Sequence, residues 1–233
     1  MLGTLINAGT VAAGTAIGRL GGSRLSEPMR TSITNGLGLF TLALGARGAI
    51  RTFDAELSHV IVVLVGLLLG GLIGTALDIE GRVESLGERI RRRVGSEEGG
   101  FATGFLTASM IFCVGPLAIL GSLADGLSGD IRLLAIKSVA DGFAAVFLTS
   151  VYGLGVGASV LTILLYQGAI TLGAGAVRDV FTPDVLLSVE GAGGLLMIGI
   201  GLKLLDIRDV RVGNFLPALA LAPLGTWLLE RLG

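Results

Sequence analysis

An all-α, polytopic transmembrane bundle is the fold class predicted for this chain, and three observations predict it. Of 233 residues, 52% are hydrophobic and only 15% are charged, against about a quarter charged in soluble domains. Mean hydropathy is +0.84, which leaves too little polar surface to solvate a compact globule. The 39 glycines lie inside the apolar runs and follow no three-residue period, so neither a disordered nor a collagen-like chain fits.

A helix crosses roughly 30 Å of hydrocarbon in about 20 residues. Apolar stretches of that kind fall near 2–19, 31–50, 58–78, 101–123, 133–155, 158–177, 186–205 and 212–229. They give about eight spans, or seven if one is miscounted, in a single transmembrane domain, 1–233. The first stretch lacks a basic leading region, and its glycines and Asn7 fit a retained span rather than a cleaved signal. Gly115 and Pro116 fall in the middle of the fourth, with Gly121 following, so this span is expected to be kinked or re-entrant. Gly153, Gly155 and Gly157 mark a turn between the fifth and sixth.

The only sizeable polar segment, Asp78 to Gly100, carries Arg82, Arg89, Arg91, Arg92 and Arg93 and reads as a short amphipathic helix ending at Gly95. Positive charge concentrates in cytoplasmic loops, so the basic loop 79–100 is expected in the cytoplasm. On that choice Arg19, Arg24, Arg30, Lys203, Arg208 and Arg211 share its side. Arg47, Arg51, Arg132, Lys137, Arg178 and Arg231 lie on the other. The bias is eleven against six, with both termini outside.

Spans one and two resemble spans six and seven. Gly38-Leu39 through Gly45-Ala46-Arg47 matches Gly194-Leu195 through Gly201-Leu202-Lys203, and Gly9, Val11, Gly14 and Arg19 match Gly168, Ile170, Gly173 and Arg178. The copies are five spans apart and therefore cross in opposite directions. This is the pattern of an inverted repeat of spans 1–3 and 6–8, with repeat-like units 1–78 and 158–230, an arrangement that underlies many transporters. Glycines also recur every four residues at Gly66, Gly70 and Gly74 and at Gly14 and Gly18, making flat strips for close helix approach. The first strip reads either as a homodimer seam or as intrachain packing, and packing is favoured.

Ionisable groups at membrane depth are costly and are functional candidates by default. Asp141 lies inside the fifth span, with Lys137 four residues earlier on the same helical face. The pair reads equally as a static salt bridge or as a switchable carboxylate that couples a proton or monovalent cation. Asn7, Asn35, Ser109, Ser138 and Gln167 add neutral polar groups. The set Asp141, Lys137, Asn7, Asn35, Gln167 and Ser138 is the candidate solute or ion site. A second set, Gly115, Pro116, Asp125, Gly126, Gly129 and Asp130, reads as a gate or loop; the plainer alternative is a solvated turn with Asp130 capping the next helix. Glu190 and Arg178 are placed at the interface.

Several classes are not expected. Seventeen basic and eighteen acidic residues nearly cancel, so no net basic face points to nucleic acid. With one histidine, His59, and one cysteine, Cys113, there is little material for catalysis, a disulfide or a metal site. No phosphate-binding loop is present. An enzyme is not expected, nor a cofactor beyond a proton or monovalent cation.

The residues Phe112-Cys113-Val114-Gly115, Ala118 to Ser122, Asp125-Gly126, Gly129-Asp130, Lys137-Ser138 and Asp141 together resemble the bacterial membrane family called domain of unknown function 554, the YdfK/YqgA-like proteins. Asn7 with Val11, Gly14 and Gly18, Leu165 to Gly168, and Asn214 with Leu216 to Leu219 extend the resemblance along nearly the whole chain. Pro116-Leu117 and Asp125 depart from a pattern that often has alanine-methionine and glutamate there. The resemblance implies a multi-pass protein of the bacterial cytoplasmic, or inner, membrane without an established substrate, and no catalytic assignment. The expected function is secondary transport of a small polar solute or ion by alternating access. The alternatives are a non-transporting scaffold or sensor, or an ion channel.

Overall fold

The computed structural model describes residues 1–22, 25–94, 100–113 and 116–232. Arg24, Gly95, Val114 and Gly115, all named from the sequence, lie outside the described residues. Among the described residues the regular structure is helical: α1 (Leu2–Gly22), α2 (Glu27–Phe53), α3 (Leu57–Ala76), α4 (Ile79–Val94), α5 (Phe101–Cys113), α6 (Pro116–Ser128), α7 (Arg132–Tyr152), α8 (Gly155–Leu172), the single turn α9 (Ala174–Val177), α10 (Pro183–Leu204), a 3₁₀ turn at Val212–Phe215, and α11 (Ala218–Leu232). Every apolar stretch read from the sequence falls on helix. Five helical segments are long and apolar enough to cross a membrane: α3, α7, α8, α10 and Val212–Leu232. Phe101–Cys113 and Leu117–Ser128 make a sixth as a pair bent by 62°, in keeping with the expected break in span four. α1 and α2 reach 21 and 27 residues, but glycine, threonine, Asn7 and arginines dilute their apolarity.

Local chemistry sets the ends. Gly129 and Gly153 adopt φ of 70°, a left-handed turn that glycine enters without steric cost. They close the turns before α7 and α8. Thr182 caps α10 by accepting the Val185 N–H at 3.1 Å, with Pro183 at the first helical position, where its missing N–H costs nothing.

Burial is inverted relative to a soluble helix. On α3 the buried residues are Val63, Gly66, Gly70, Gly71 and Gly74, while Leu57, Ile61, Leu64, Leu68 and Leu72 are exposed. Large apolar side chains face outward, as lipid allows, and glycines face the neighbouring backbone. The strip Gly66, Gly70 and Gly74 receives Ala222, Ala218 and Asn214 of the same chain. The intrachain alternative is thus the one realised on these glycines.

The chain divides into two compact units. The first comprises Met1–Leu37, Val83–Cys113 and Leu117–Val177; the second is chiefly Gly38–Arg82 and Arg178–Gly233. The first unit holds α1, α5, α7 and α8, and the second holds α3, α10, α11 and α2 from Gly38 onward.

Within the first unit, Gly14 packs on Ala145, Gly18 on Thr149 and Gly22 on Ser150, so α1 and α7 run parallel. Thr4 meets Thr171, Asn7 meets Gln167, and Gly157 packs on Thr15. α1 and α8 are therefore antiparallel. Gly104 packs on Val156 and Ser109 bonds Thr162, so α5 and α8 are parallel.

In the second unit, α3 and α11 are antiparallel, as are α2 and α10. The α2–α10 seam is reciprocal: Gly38 packs on Leu205 and Gly194 on Ala49, while Gly45 packs on Ile198 and Gly201 on Leu42. Arg51 and Glu190, 3.1 Å apart, pin its end; Glu190 thus has an ion-pair partner on the adjoining helix.

A polar latch fixes the start of α4. Asn214 Oδ1 accepts the Glu80 N–H at 3.0 Å, and Glu80 Oε2 accepts the Gly213 N–H at 3.1 Å. Glu80 is buried, and Lys203 lies 3.6 Å from its other oxygen. Asn214→Ala should leave one buried donor without a partner, at about 1–3 kcal/mol. Thermal unfolding in detergent is expected to report that loss.

Candidate functional site

The first unit gathers most of the candidate residues at one end of α1, α7 and α8. α7 carries Lys137 and Asp141, whose side chains form a nearly buried ion pair one helical turn apart. At 1.5 Å per residue from Arg132, Asp141 lies about 14 Å along α7. Asn7 of α1 and Gln167 of α8 are both fully buried. The Asn7 amide donates to Gln167 Oε1 at 3.4 Å and stands near the Asp141 carboxylate. Cys113 of α5 is close enough to interact electrostatically with both Lys137 and Asp141.

One turn nearer the same end, Thr4 and Thr171 share a hydrogen bond of 3.3 Å. At the end itself, the Asp125 carboxylate of α6 accepts the Gly3 N–H at 3.0 Å and lies 2.9 Å from the Met1 nitrogen. A carboxylate at a helix N-terminus satisfies an otherwise orphaned N–H and complements the dipole. Gly126 sits tight against Thr171 and Ala174, which seats α6 on α8. Polar groups therefore descend from Asp125, past Thr4 and Thr171, to Asn7, Gln167, Lys137 and Asp141.

Val11, Ala108, Phe112, Ala145, Leu148, Val156 and Ile163 form one buried apolar cluster together with Ala8 and Cys113. Buried polar side chains continue past Asp141, with Thr149 on α7, Thr15 on α1 and Ser159 on α8.

Five buried side-chain polar atoms have no hydrogen-bond partner among the described residues: Asn7 Oδ1, Thr15 Oγ1, Ser122 Oγ, Thr149 Oγ1 and Gln167 Nε2. All five belong to the first unit. Buried polar atoms are ordinarily satisfied, and each exception calls for a water, an ion or a functional reason.

The other candidates are placed as follows. Asn35 is exposed on α2, and none of the hydrogen bonds of the cluster reaches it. Ser138 is buried but bonds the Leu134 carbonyl of its own helix at 2.6 Å. Pro116 opens α6. Gly129 makes the turn before α7, where Asp130 accepts both the main-chain N–H and the guanidinium of Arg132. Arg132 holds the Asp130 carboxyl down at about 2, below its ordinary 3.8. A depressed folded value contributes stability above the ordinary value and loses it as pH falls through the folded one. The stability difference between wild type and Asp130→Asn is expected to vanish between pH 3.8 and about 2, in thermal melts across that range.

Sequence reading missed Thr4, Thr171, the Gly3 N–H and Glu80. A signal existed for the threonines. Thr4 precedes Asn7 by three residues and Thr171 follows Gln167 by four, the spacings that share a helical face.

A buried charge pair inside an all-helical bundle with apolar, outward-facing helices defines a polytopic membrane protein. The chain belongs to the family described as protein of unknown function DUF554, whose model matches residues 2–227. It is 28% identical over 233 residues to the uncharacterized membrane protein YdfK of Bacillus subtilis, covering 100% of this chain and 99% of that one. It is 28% identical over 228 residues to the uncharacterized protein YqgA of Escherichia coli, covering 95% and 94% of the two chains. No solved structure matches the chain.

Proposed function

We propose that the protein is a secondary transporter of a small polar solute or ion, working by alternating access, with Asp141 as the coupling carboxylate. The observation that carries the reading is the nearly buried Lys137–Asp141 pair of α7, met by Asn7 and Gln167 from two other helices. An ion pair kept for packing alone gains little, because apolar residues of similar volume usually serve as well. Unpartnered Asn7 Oδ1 and Gln167 Nε2 count against a scaffold whose polar groups are all saturated.

Helix directions support eight crossings. Strict alternation makes spans one and five parallel, four and six parallel, and one and six, two and seven, and three and eight antiparallel. The contacts have those signs in every case. The reciprocal seam supports the inverted repeat. Gly38–Leu205 is matched by Gly194–Ala49, and Gly45–Ile198 by Gly201–Leu42, pairs in which the aligned residues exchange roles, as in a twofold relation. On this reading the arginine-rich α4 faces the cytoplasm of a bacterial inner membrane, and the Asp125 end faces outward.

The test is ion-driven uptake in proteoliposomes by wild type and Asp141→Asn. Loss of coupled uptake in the variant is expected. Unchanged coupled uptake would remove Asp141 from the mechanism.

A further inference from the structure

The charges and lone polar atoms around Asp141 restrict what the site takes. The ionised groups within it are Lys137 and Asp141, and they cancel. Around them stand Cys113 from α5 and Asn7 from α1, with Gln167 of α8 bonded to Asn7. Asp125 of α6 stands at the end of the polar file, held by the Gly3 N–H and close to the Met1 nitrogen. Asn7 and Gln167 each have one amide atom bonded and one without a partner, and both side chains are fully buried. Gln167 Nε2 is therefore an unused donor, and Asn7 Oδ1 an unused acceptor.

We propose, resting on the transport reading above, that the cargo is a small monoanion bearing a carboxylate, carried together with one proton. Coupling at Asp141 requires that its carboxylate be neutralised by something other than Lys137. A proton added to an Asp141 oxygen breaks the ion pair and leaves the Lys137 ammonium as an uncompensated charge in low dielectric, which is strongly unfavourable. A carboxylate restores neutrality: its oxygens accept from Lys137 Nζ and from the new Asp141 O–H, with Gln167 Nε2 as the unused donor beside them. When the anion leaves on the far side, the proton leaves Asp141 and the pair re-forms. Net charge in the site is zero in both states, so one proton and one anion cross per cycle without moving charge. A neutral solute would leave the pair intact, with nothing to couple. A cation alone would face Lys137 uncompensated.

The experiment uses the full chain in detergent and in proteoliposomes. The probes are sodium formate, acetate and lactate against acetamide, urea and ammonium sulfate, at acidic and neutral pH. Carboxylates are expected to raise the unfolding temperature, with affinity falling about tenfold per pH unit as Asp141 loses its proton. Asp141→Asn, which imitates the protonated acid, is expected to bind them equally at both pH values. Lys137→Gln combined with Asp141→Asn removes the ammonium and is expected not to bind them. Should Asp141→Asn fail to fold, the pH dependence of wild type decides. Stabilisation by acetamide, urea or ammonium but not by carboxylates overturns the proposal. So does carboxylate binding that is independent of pH in wild type or that survives in the double variant. Silence from every probe also overturns it. Uptake of the bound carboxylate should follow a proton gradient and ignore membrane potential. Binding with the stated pH dependence but no uptake would sink the transport reading and leave the ligand class standing. Uptake of a neutral solute would do the reverse.

Discussion

Lys137→Met should destabilise the protein by about 3–5 kcal/mol, because it strands the Asp141 carboxylate without its counter-charge. Asn7 stands near that carboxylate, but one neutral amide does not replace an ammonium. Lys137→Met with Asp141→Leu should recover most of that loss, since burying two well-packed apolar groups is close to neutral or better. Uptake should be absent in both. Thermal unfolding in detergent separates the two proteins, and the vesicle assay joins them. If the double variant were as unstable as the single, the pair would be required for folding and its functional role would lose its basis.

Gly14→Val and Gly18→Val should each cost about 1–3 kcal/mol or more through overpacking, and both should weaken transport. A methyl on Gly14 meets Ala145 Cβ at 3.0 Å and also presses on the Gly142 carbonyl; one on Gly18 meets Thr149 Cβ at 2.9 Å. These contacts set the distance between α1 and α7, and hence between Asn7 and Asp141. Gly9 and Gly21 lie on the same helix with nothing within 4 Å of an added methyl. Gly9→Ala and Gly21→Ala should be neutral or stabilising by up to about 1 kcal/mol, from helix propensity alone. Melting temperatures of the four variants would show whether the glycines act by spacing or only by composition.

These two sets of residues were legible to different degrees. Lys137 and Asp141 could be read at once, because a four-residue spacing on one helix fixes their proximity before any tertiary contact forms. Asn7 and Gln167 could be nominated as polar groups at depth, but α1 and α8 are far apart in sequence. Only their antiparallel packing makes the two amides partners. Asn35 looked equivalent from composition, yet it faces outward on α2. Apolar runs locate a span without saying which of its faces meets lipid. Glycines every four residues announced close packing at Gly66, Gly70 and Gly74, while the partner, α11 of the same chain, was not encoded in that spacing.

By itself, the sequence determined that this is a membrane-type chain, where its apolar helices run, and that one carboxylate sits beside one ammonium on the same helical face. These follow from hydropathy and helical period, which are local. The tertiary structure decided that α1 and α8 bring their amides to that pair and that Asp125 is held at the start of α1. Those outcomes depend on which glycine-lined faces accept which neighbours, and van der Waals complementarity between distant segments leaves no periodic mark on the chain.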